Sequence, residues 1–199
     1  MYPLFESICV AEGEIQHPVW HELRFEKSYQ KLFGTTPDFS LYENLEIPLS
    51  CRTGLVKLRI AYGKTGKEVQ FAPYEVKTIK TLKLTEIGDL DYSVKYSDRN
   101  RINLAFDDRG SADDILMTKD GLITDSSYCN VIFFDGENWI TPETPLLEGT
   151  ARARLIDEKK ILPRPIHQSE IQNFHSFKLI NAMRDFDTIS AEPIEGILF

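Results

Sequence analysis

Two short turns in the second half of the chain, Lys119-Asp-Gly121 and Asp135-Gly136-Glu137, most constrain what it can fold into. Aspartate and glycine favour tight turns because both tolerate the backbone conformations that turns require. Apolar, β-branched and aromatic residues flank each turn, as is typical of strands. The strands that this pattern predicts are Ile115–Thr118, Leu122–Thr124, Val131–Phe134 and Trp139–Thr141. Strands joined this tightly pair as hairpins, so we expect a β-sheet in this half.

Helical spacing of apolar residues indicates that helices accompany these strands. The predicted helices are Trp20–Phe33, which ends at Gly34, the short segment Asp38–Asn44, Asp98–Phe106 with Asp98 as its cap, and Gly149 to about Asp157. The other predicted strands are Leu4–Val10, a short one through Gln16, Leu55–Tyr62, Glu68–Val76, Phe177–Ile180 and the apolar C-terminal segment Ile194–Phe199. This mixture predicts an α+β fold. We expect a small N-terminal lobe over residues 1–86 and a larger C-terminal lobe, carrying Lys95, over residues 87–199.

Composition and charge exclude several kinds of function. The 199 residues are 42% hydrophobic and 27% charged, which is ordinary for a soluble globular protein. The net charge of −8 argues against nucleic-acid binding, and no apolar run approaches the roughly 18 residues of a membrane span. Met1–Ser7 has neither a basic start nor a long apolar stretch, so we expect no signal peptide and a cytoplasmic protein. Cys9, Cys51 and Cys129 are scattered, which predicts reduced thiols and no metal site.

Four segments carry residues that together can hold pyridoxal 5'-phosphate (PLP). Lys95 offers an amine that can bind the aldehyde of the cofactor covalently. Asp125 offers a carboxylate for the ring nitrogen, and the helix start Gly149-Thr150-Ala151-Arg152 offers backbone N–H groups for the phosphate. Arg24 offers a forked cation for the same phosphate. Each also has an ordinary interpretation, respectively a surface lysine, a turn aspartate, a capped helix and a solvated arginine.

The segments around these residues follow one another in a fixed order along nearly the whole chain. They are Leu4–Ile8, Glu12-Gly13, His21–Arg24, Tyr92–Arg99, Gly121–Asn130, Trp139–Pro142, Leu146–Arg152 and Phe177–Ala182. In this order they resemble the class IV aminotransferase family of PLP enzymes, which contains 4-amino-4-deoxychorismate lyase, branched-chain aminotransferase and D-amino-acid aminotransferase. No single motif is specific, but their order is.

The resemblance implies a fold and a set of site residues. The implied fold has two α+β lobes, like D-amino-acid aminotransferase, with PLP between them and the active site beside a homodimer interface. Lys95 is implied to be the Schiff-base lysine and proton shuttle, and Asp125 stands where the family usually has glutamate. The other residues implied to bind the cofactor are Arg24, Asn130, Gly149, Thr150, Ala151, Asn181 and Ala182. No metal is implied.

Three functions remain open on the sequence. The leading hypothesis is a PLP-dependent lyase that converts 4-amino-4-deoxychorismate to 4-aminobenzoate and pyruvate for folate biosynthesis. The second is an aminotransferase acting on a branched-chain or D-amino acid. The third is a PLP-binding protein without catalytic activity. In each case the partner is a small molecule rather than a nucleic acid or a membrane.

Overall fold

The computed structural model of the protein describes residues 2–199, so Met1, the first residue of the predicted N-terminal lobe, lies outside the described residues. Within them the chain divides into two compact units. Unit 1 comprises the chain up to Val76 together with Val94–Asp98, and unit 2 comprises Lys77–Ser93 together with Arg99–Phe199. These units differ from the predicted lobes of residues 1–86 and 87–199. Lys95 belongs to unit 1, although the predicted boundary assigns it to the C-terminal lobe.

Unit 1 is built on an antiparallel sheet with one α-helix. Its elements, among residues 2–199, are β1 Leu4–Ala11, β2 Glu14–Ile15, α1 Pro18–Phe33, a 3-10 helix Leu49–Cys51, β3 Leu55–Gly63 and β4 Gly66–Pro73. The strands lie in the order β2-β1-β3-β4. Gly34 ends α1, as predicted, with a positive φ of 74° that glycine adopts without strain.

The strands of unit 1 have two different faces, because successive side chains of a strand point in opposite directions. The core of the unit lies between the sheet and α1 and contains Leu4, Ile8, Val10, Phe25, Leu58 and Ile60. Alternation along β1 places Glu6 on this core face, so a carboxylate enters an apolar core. Phe5 lies on the opposite face of the sheet.

Unit 2 contains a larger, mixed sheet. Its elements, among the described residues, are β5 Leu82–Glu86, α2 Asn100–Asp107, β6 Asp114–Lys119, β7 Leu122–Ser126, β8 Asn130–Phe134, β9 Trp139–Pro142, α3 Thr150–Asp157, β10 Leu162–Arg164, β11 Ser176–Ile180, β12 Glu192–Pro193 and β13 Ile197–Leu198, with 3-10 helices at Gln168–Asn173 and Ile194–Gly196. The strand order is β10-β9-β8-β7-β6-β5-β13, and β11 pairs with β8 and β12. The two predicted hairpins are confirmed as β6–β7 and β8–β9.

Strand pairing explains why the units differ from the predicted lobes. Strand β5 pairs in parallel with β6 and with β13, so residues 82–86 are part of the unit 2 sheet. Val94–Asp98 instead pairs with β1, where Leu4 and Tyr96 form an antiparallel bridge. Both pairings join residues far apart in the chain, and neither leaves a mark in the local sequence.

Two predicted helical features are wrong. The segment Asp38–Asn44 forms turns and bends, and Lys67 Nζ donates to three of its carbonyl oxygens at 2.7–2.9 Å. The cap position of α2 is occupied by Arg99, without a side-chain hydrogen bond, and not by Asp98 as predicted. None of the helices within residues 2–199 is both long and apolar enough to span a bilayer.

Candidate active site

Lys95 is fixed to the first strand of unit 1. The Phe5 N–H donates to Lys95 O at 3.1 Å, and the Ser97 N–H donates to Pro3 O at 2.7 Å. The half-buried side chain of Lys95 returns to the same strand, where its Nζ lies 4.9 Å from the centroid of the Phe5 ring. Phe5 therefore holds both the backbone and the ammonium group of the predicted catalytic lysine.

Arg24 is part of a buried charged cluster with Glu6 and His21. His21 and Arg24 are three residues apart on α1 and so point to the same side of the helix. Arg24 Nε donates to Glu6 Oε1 at 2.9 Å, and Arg24 Nη2 donates to Glu6 Oε2. His21 Nδ1 lies 2.7 Å from Glu6 Oε2. Arg24 is only 11% exposed, so it is not the solvated helix-face arginine that was the ordinary alternative.

The charges of this cluster determine its protonation. Burial acts to raise the pKa of Glu6, but Arg24 and His21 outweigh it and hold that pKa at about 2. Burial lowers the pKa of His21 and, together with the positive charges of Arg24 and Lys95, outweighs the hydrogen bond and the charge of Glu6, which act to raise it. The cluster is therefore an ionised Glu6–Arg24 pair that accepts a hydrogen bond from a neutral imidazole. Glu6 belongs to the sequence motif Leu4–Ile8, but the motif does not indicate that Glu6 pairs with Arg24. That pairing follows from the position of Glu6 on the core face of β1.

Replacing Arg24 with alanine is expected to lower the free energy of unfolding by about 3–5 kcal/mol. The reason is that the fully buried Glu6 carboxylate loses the cation that compensates its desolvation. Urea denaturation of the parent and the variant measures the difference. A loss below about 1 kcal/mol would show that Glu6 does not depend on Arg24.

The double variant Glu6→Gln/Arg24→Gln separates this structural role from cofactor binding. It removes both charges together, so it should lose less stability than Arg24→Ala. If Arg24 also contacts the phosphate of PLP, the double variant should bind PLP more weakly than the parent does. Unchanged PLP affinity in a folded double variant would remove Arg24 from the phosphate-binding set.

Asp125 is held by two hydrogen-bond donors in unit 2. It pairs in register with Asn130 across the tight connection between β7 and β8. Asn130 Nδ2 donates to Asp125 Oδ1 at 2.6 Å and to Leu147 O at 2.9 Å, and the Leu147 N–H donates to Asp125 Oδ2 at 2.9 Å. These three residues form a closed triangle that joins the β7–β8 connection to the loop preceding α3.

The surroundings of Asp125 shift the pKa of its carboxyl group. Burial raises the pKa of its carboxyl to about 6, although the hydrogen bonds from Leu147 and Asn130 and the charge of Arg152 oppose that rise. Arg152 is itself buried and donates to Thr141 Oγ1 at 3.2 Å and to Pro142 O at 2.7 Å. Sequence reasoning gave Arg152 no role of its own, although it closes the Gly149–Arg152 motif.

Gly149 positions the start of α3 against Asn130. Gly149 is the N-cap of the helix and has an extended backbone. A Cβ atom at this position would lie 1.9 Å from Asn130 Oδ1, so only glycine allows the two segments to approach this closely. Thr150 and Ala151 form the buried first turn, where backbone N–H groups point out of the helix end. A buried carboxylate near a helix start suits a ligand with a cationic ring at one end and a phosphate at the other.

Gly149→Ala is expected to lower the free energy of unfolding by about 1–3 kcal/mol, because the new methyl group must displace the Asn130 side chain. Urea denaturation checks this value. In an Asn130→Ser background the shorter side chain makes room, so the additional cost of Gly149→Ala should fall. Equal stability of Gly149→Ala and the parent would contradict the close approach.

Asn181 lies at the end of β11, beside the β7–β8 connection. Its Nδ2 donates to Tyr128 O at 3.4 Å and lies 3.2 Å from Cys129 Sγ, and its Oδ1 accepts from the Met183 N–H at 2.8 Å. Ala182 follows it and is half-buried.

The structure thus brings Asp125, Asn130 and Gly149 into direct contact, with Asn181 against the neighbouring residues. In unit 1 it attaches Lys95 and Arg24 to two consecutive residues of β1.

Within residues 2–199 no group of three or more histidine, cysteine or carboxylate side chains is arranged to hold a metal ion. The three cysteines are buried and are not in disulfide bonds.

Comparison with known proteins gives a consistent assignment. The sequence profile of the family described as amino-transferase class IV matches residues 93–191, which include Lys95, Asp125 and the Gly149–Arg152 segment. An uncharacterized protein of Haemophilus influenzae Rd is 40% identical over 185 residues, which are 92% of this chain and 98% of that protein.

Solved structures have the same fold. A Haemophilus somnus 129PT protein, provisionally assigned as a 4-amino-4-deoxychorismate lyase, is 34% identical, with a TM-score of 0.82 over 94% of this chain and 98% of that one. A hypothetical aminotransferase from Mycobacterium tuberculosis, in its PLP-bound form, has a TM-score of 0.78 at 17% identity over 98% of this chain and 81% of that one, a likeness of fold alone. The chain belongs to the class IV aminotransferase family of PLP-dependent enzymes and has the α+β fold of that family, as the sequence resemblance implies.

Proposed function

We propose that this protein is a PLP-dependent lyase that converts 4-amino-4-deoxychorismate to 4-aminobenzoate and pyruvate, a step of folate biosynthesis. The observation that carries the proposal is the similarity to the Haemophilus somnus protein, which extends over 98% of that chain at 34% identity.

Lys95 is proposed to hold the cofactor and to transfer protons. PLP, when bound, supplies an electron-withdrawing ring that stabilises negative charge on the substrate carbon. Lys95 would hold the cofactor aldehyde through Nζ, and as a free amine it would serve as the base and acid that moves the proton. The contact of Nζ with the Phe5 ring orients the amine for this role.

Asp125 and the start of α3 are proposed to bind the two ends of the same cofactor. The Asp125 carboxylate, aligned by the Leu147 N–H and by Asn130, holds a proton on the ring nitrogen. The backbone N–H groups at Thr150 and Ala151 would bind the phosphate, a role that the family resemblance also implies for Arg24. Asn130, which contacts both Asp125 and Gly149, joins the two parts of the chain that would hold the ring nitrogen and the phosphate.

The assembly that the family resemblance implies is a homodimer, and we retain it as a proposal. Light scattering of the purified protein measures its mass in solution. A mass of twice the 22.9 kDa of the chain would support the dimer, and a monomer would contradict it.

A direct assay tests the lyase proposal. Purified protein loaded with PLP is supplied with 4-amino-4-deoxychorismate, and 4-aminobenzoate and pyruvate are quantified against the Lys95→Ala variant. Equal amounts of both products, absent from the variant, are expected. Transfer of the amino group to a 2-oxo acid without 4-aminobenzoate would instead identify an aminotransferase. Bound PLP with neither reaction would indicate a non-catalytic binding protein.

A further inference from the structure

A loop of unit 1 between α1 and β3 is held by a side chain from a distant part of the chain. The segment Ser40–Asn44, which we call the strap, forms a turn that ends at Asn44, whose φ of 55° is left-handed. No helix continues from this turn, so the carbonyl oxygens of the strap need partners from outside it. The group that binds these oxygens decides whether the strap stays in place.

The ammonium group of Lys67 binds three of the strap oxygens. Lys67 lies on β4 and pairs with Tyr62 of β3, so the sheet fixes its backbone. Its Nζ donates to Ser40 O at 2.7 Å, to Leu41 O at 2.9 Å and to Glu43 O at 2.8 Å. An ammonium group has three N–H donors, and each of them has a carbonyl oxygen here. The strap thus matches both the charge and the donor number of an ammonium group.

The other groups around this ammonium also favour a cation. Burial lowers the pKa of Lys67, although the negative charges of Glu43 and Glu22 act to raise it. The centroid of the Phe39 ring lies 5.8 Å from Nζ. Carbonyl oxygens, nearby carboxylates and an aromatic ring are groups that take the place of water around a cation. They therefore form a site for a positive charge.

The strap carries this site to α1. Tyr42 Oη donates to Pro18 O at 3.1 Å, and the Leu41 N–H donates to the two carboxylate oxygens of Glu22 at 3.2 and 3.3 Å. The Leu41 side chain is fully buried in the core of unit 1. Burial raises the pKa of Tyr42, and the negative charge of Glu6 acts in the same direction, so the strap lies near the buried charged cluster. Movement of the strap would expose this side of α1 to water.

We propose that the strap is a binding site for an ammonium group, that Lys67 is its tethered occupant, and that the charge of Lys67 holds the strap closed against α1. The site is independent of the cofactor and of the proposed reaction. Its preference should persist when the tether is removed, because a free alkylammonium ion offers the same three N–H donors to the carbonyl oxygens.

Chemical rescue of Lys67→Ala in the full chain tests this site. The substitution removes Cγ, Cδ, Cε and Nζ, and n-propylammonium consists of the same heavy atoms. Hydrogen exchange of the strap amides, followed by NMR, reports whether the strap is closed. We expect the Leu41 N–H to exchange at least about tenfold faster in Lys67→Ala than in the parent. Added n-propylammonium should bring the rate back to within about threefold of the parent.

Three controls separate N–H donation from charge and from packing. Tetramethylammonium at the same ionic strength has the charge but no N–H donor, so it should leave the strap open. Lys67→Met keeps an unbranched apolar side chain without the charge, and its strap should exchange as fast as that of Lys67→Ala. Lys64→Ala is the matched control, because it removes another cation of unit 1 that lies near an aromatic ring, Phe33, at 5.7 Å. Its strap should exchange as in the parent.

Four results would overturn the proposal. They are a strap that stays protected in Lys67→Met, a strap that opens equally in Lys64→Ala, an absence of any effect of n-propylammonium on Lys67→Ala, and equal protection by tetramethylammonium. If Lys67→Ala unfolds as a whole, recovery of the folded state with n-propylammonium but not with tetramethylammonium would support the site. A lack of recovery would contradict it.

Discussion

Replacing Lys95 with alanine is expected to abolish the visible absorption band of the PLP-loaded protein and to lower turnover by at least about a thousandfold. The band depends on a bond between PLP and a protein amine, and in the proposed mechanism Lys95 provides both that amine and the proton transfer. Absorbance spectra, the Kd for PLP and kcat with 4-amino-4-deoxychorismate measure the effect.

The Lys95→Ala variant should fold, so its loss of function can be interpreted. The segment containing Lys95 is held to β1 by backbone contacts, namely the Phe5 N–H to Lys95 O and the Ser97 N–H to Pro3 O. The substitution leaves these in place and removes the contact of the ammonium group with the Phe5 ring, worth about 0.5–1 kcal/mol. Lys64→Ala, at the exposed turn between β3 and β4, is the matched control and should retain the band. A Lys95→Ala spectrum that matches the parent would remove Lys95 from its proposed role.

The sequence predicts the regular elements of this fold better than their assembly. Hairpins such as β6–β7 are encoded locally, because Asp120 and Gly121 supply the two positive φ angles of the turn. The structure of Asp38–Asn44 is not encoded locally. Lys67, which lies more than 20 residues further along the chain, binds the carbonyl oxygens of this segment and holds it in turns. Local propensity carries no information about such a partner.

In the candidate site, too, local sequence indicates individual residues but not their contacts with distant segments. The order of the sequence motifs singles out Lys95 and Asp125 as candidates, whereas the sequence does not reveal the partners that hold them. Glu6 contacts Arg24 because the alternation of side chains along β1 places Glu6 on the core face. Phe5 contacts Lys95 because β1 pairs with the Val94–Asp98 segment. Strand register determines these neighbours, and a single sequence does not specify register between distant segments.

Asp125→Asn is expected to lower turnover by about 100- to 1,000-fold while PLP remains bound. A neutral amide does not hold the proton on the ring nitrogen, so the cofactor loses electron-withdrawing power. The substitution also disturbs its surroundings, because Asn130 Nδ2 and the Leu147 N–H both donate to Asp125 and an amide offers only one acceptor oxygen. We expect a cost of about 1–3 kcal/mol in unfolding free energy from the donor left without an acceptor. Measurements of kcat, PLP absorbance and urea denaturation check these expectations.

Asp125→Glu is the matched control, since it keeps the charge and adds one methylene. It should retain more activity than Asp125→Asn, even if the longer side chain perturbs the triangle with Asn130 and Leu147. Full activity in Asp125→Asn would contradict the proposed role of the carboxylate, and equally low activity in both variants would attribute the loss to packing rather than charge.

The pH dependence of cofactor binding provides a second measure of the Asp125 charge. Burial raises the pKa of Asp125 to about 6, so below that pH the carboxyl is mostly protonated in the protein without cofactor. A protonated ring nitrogen pairs with the ionised form of Asp125. At lower pH the Asp125 carboxyl group must therefore release its proton before the ligand binds. The affinity for pyridoxine 5'-phosphate, which lacks the aldehyde and so does not react with Lys95, should therefore weaken as the pH falls from 7 to 5. The ligand phosphate also titrates in this range. The Asp125→Asn variant has no carboxyl group at position 125, so the pH dependence of its affinity measures the contribution of the phosphate alone. If parent and variant lose affinity equally, Asp125 does not pair with the ring.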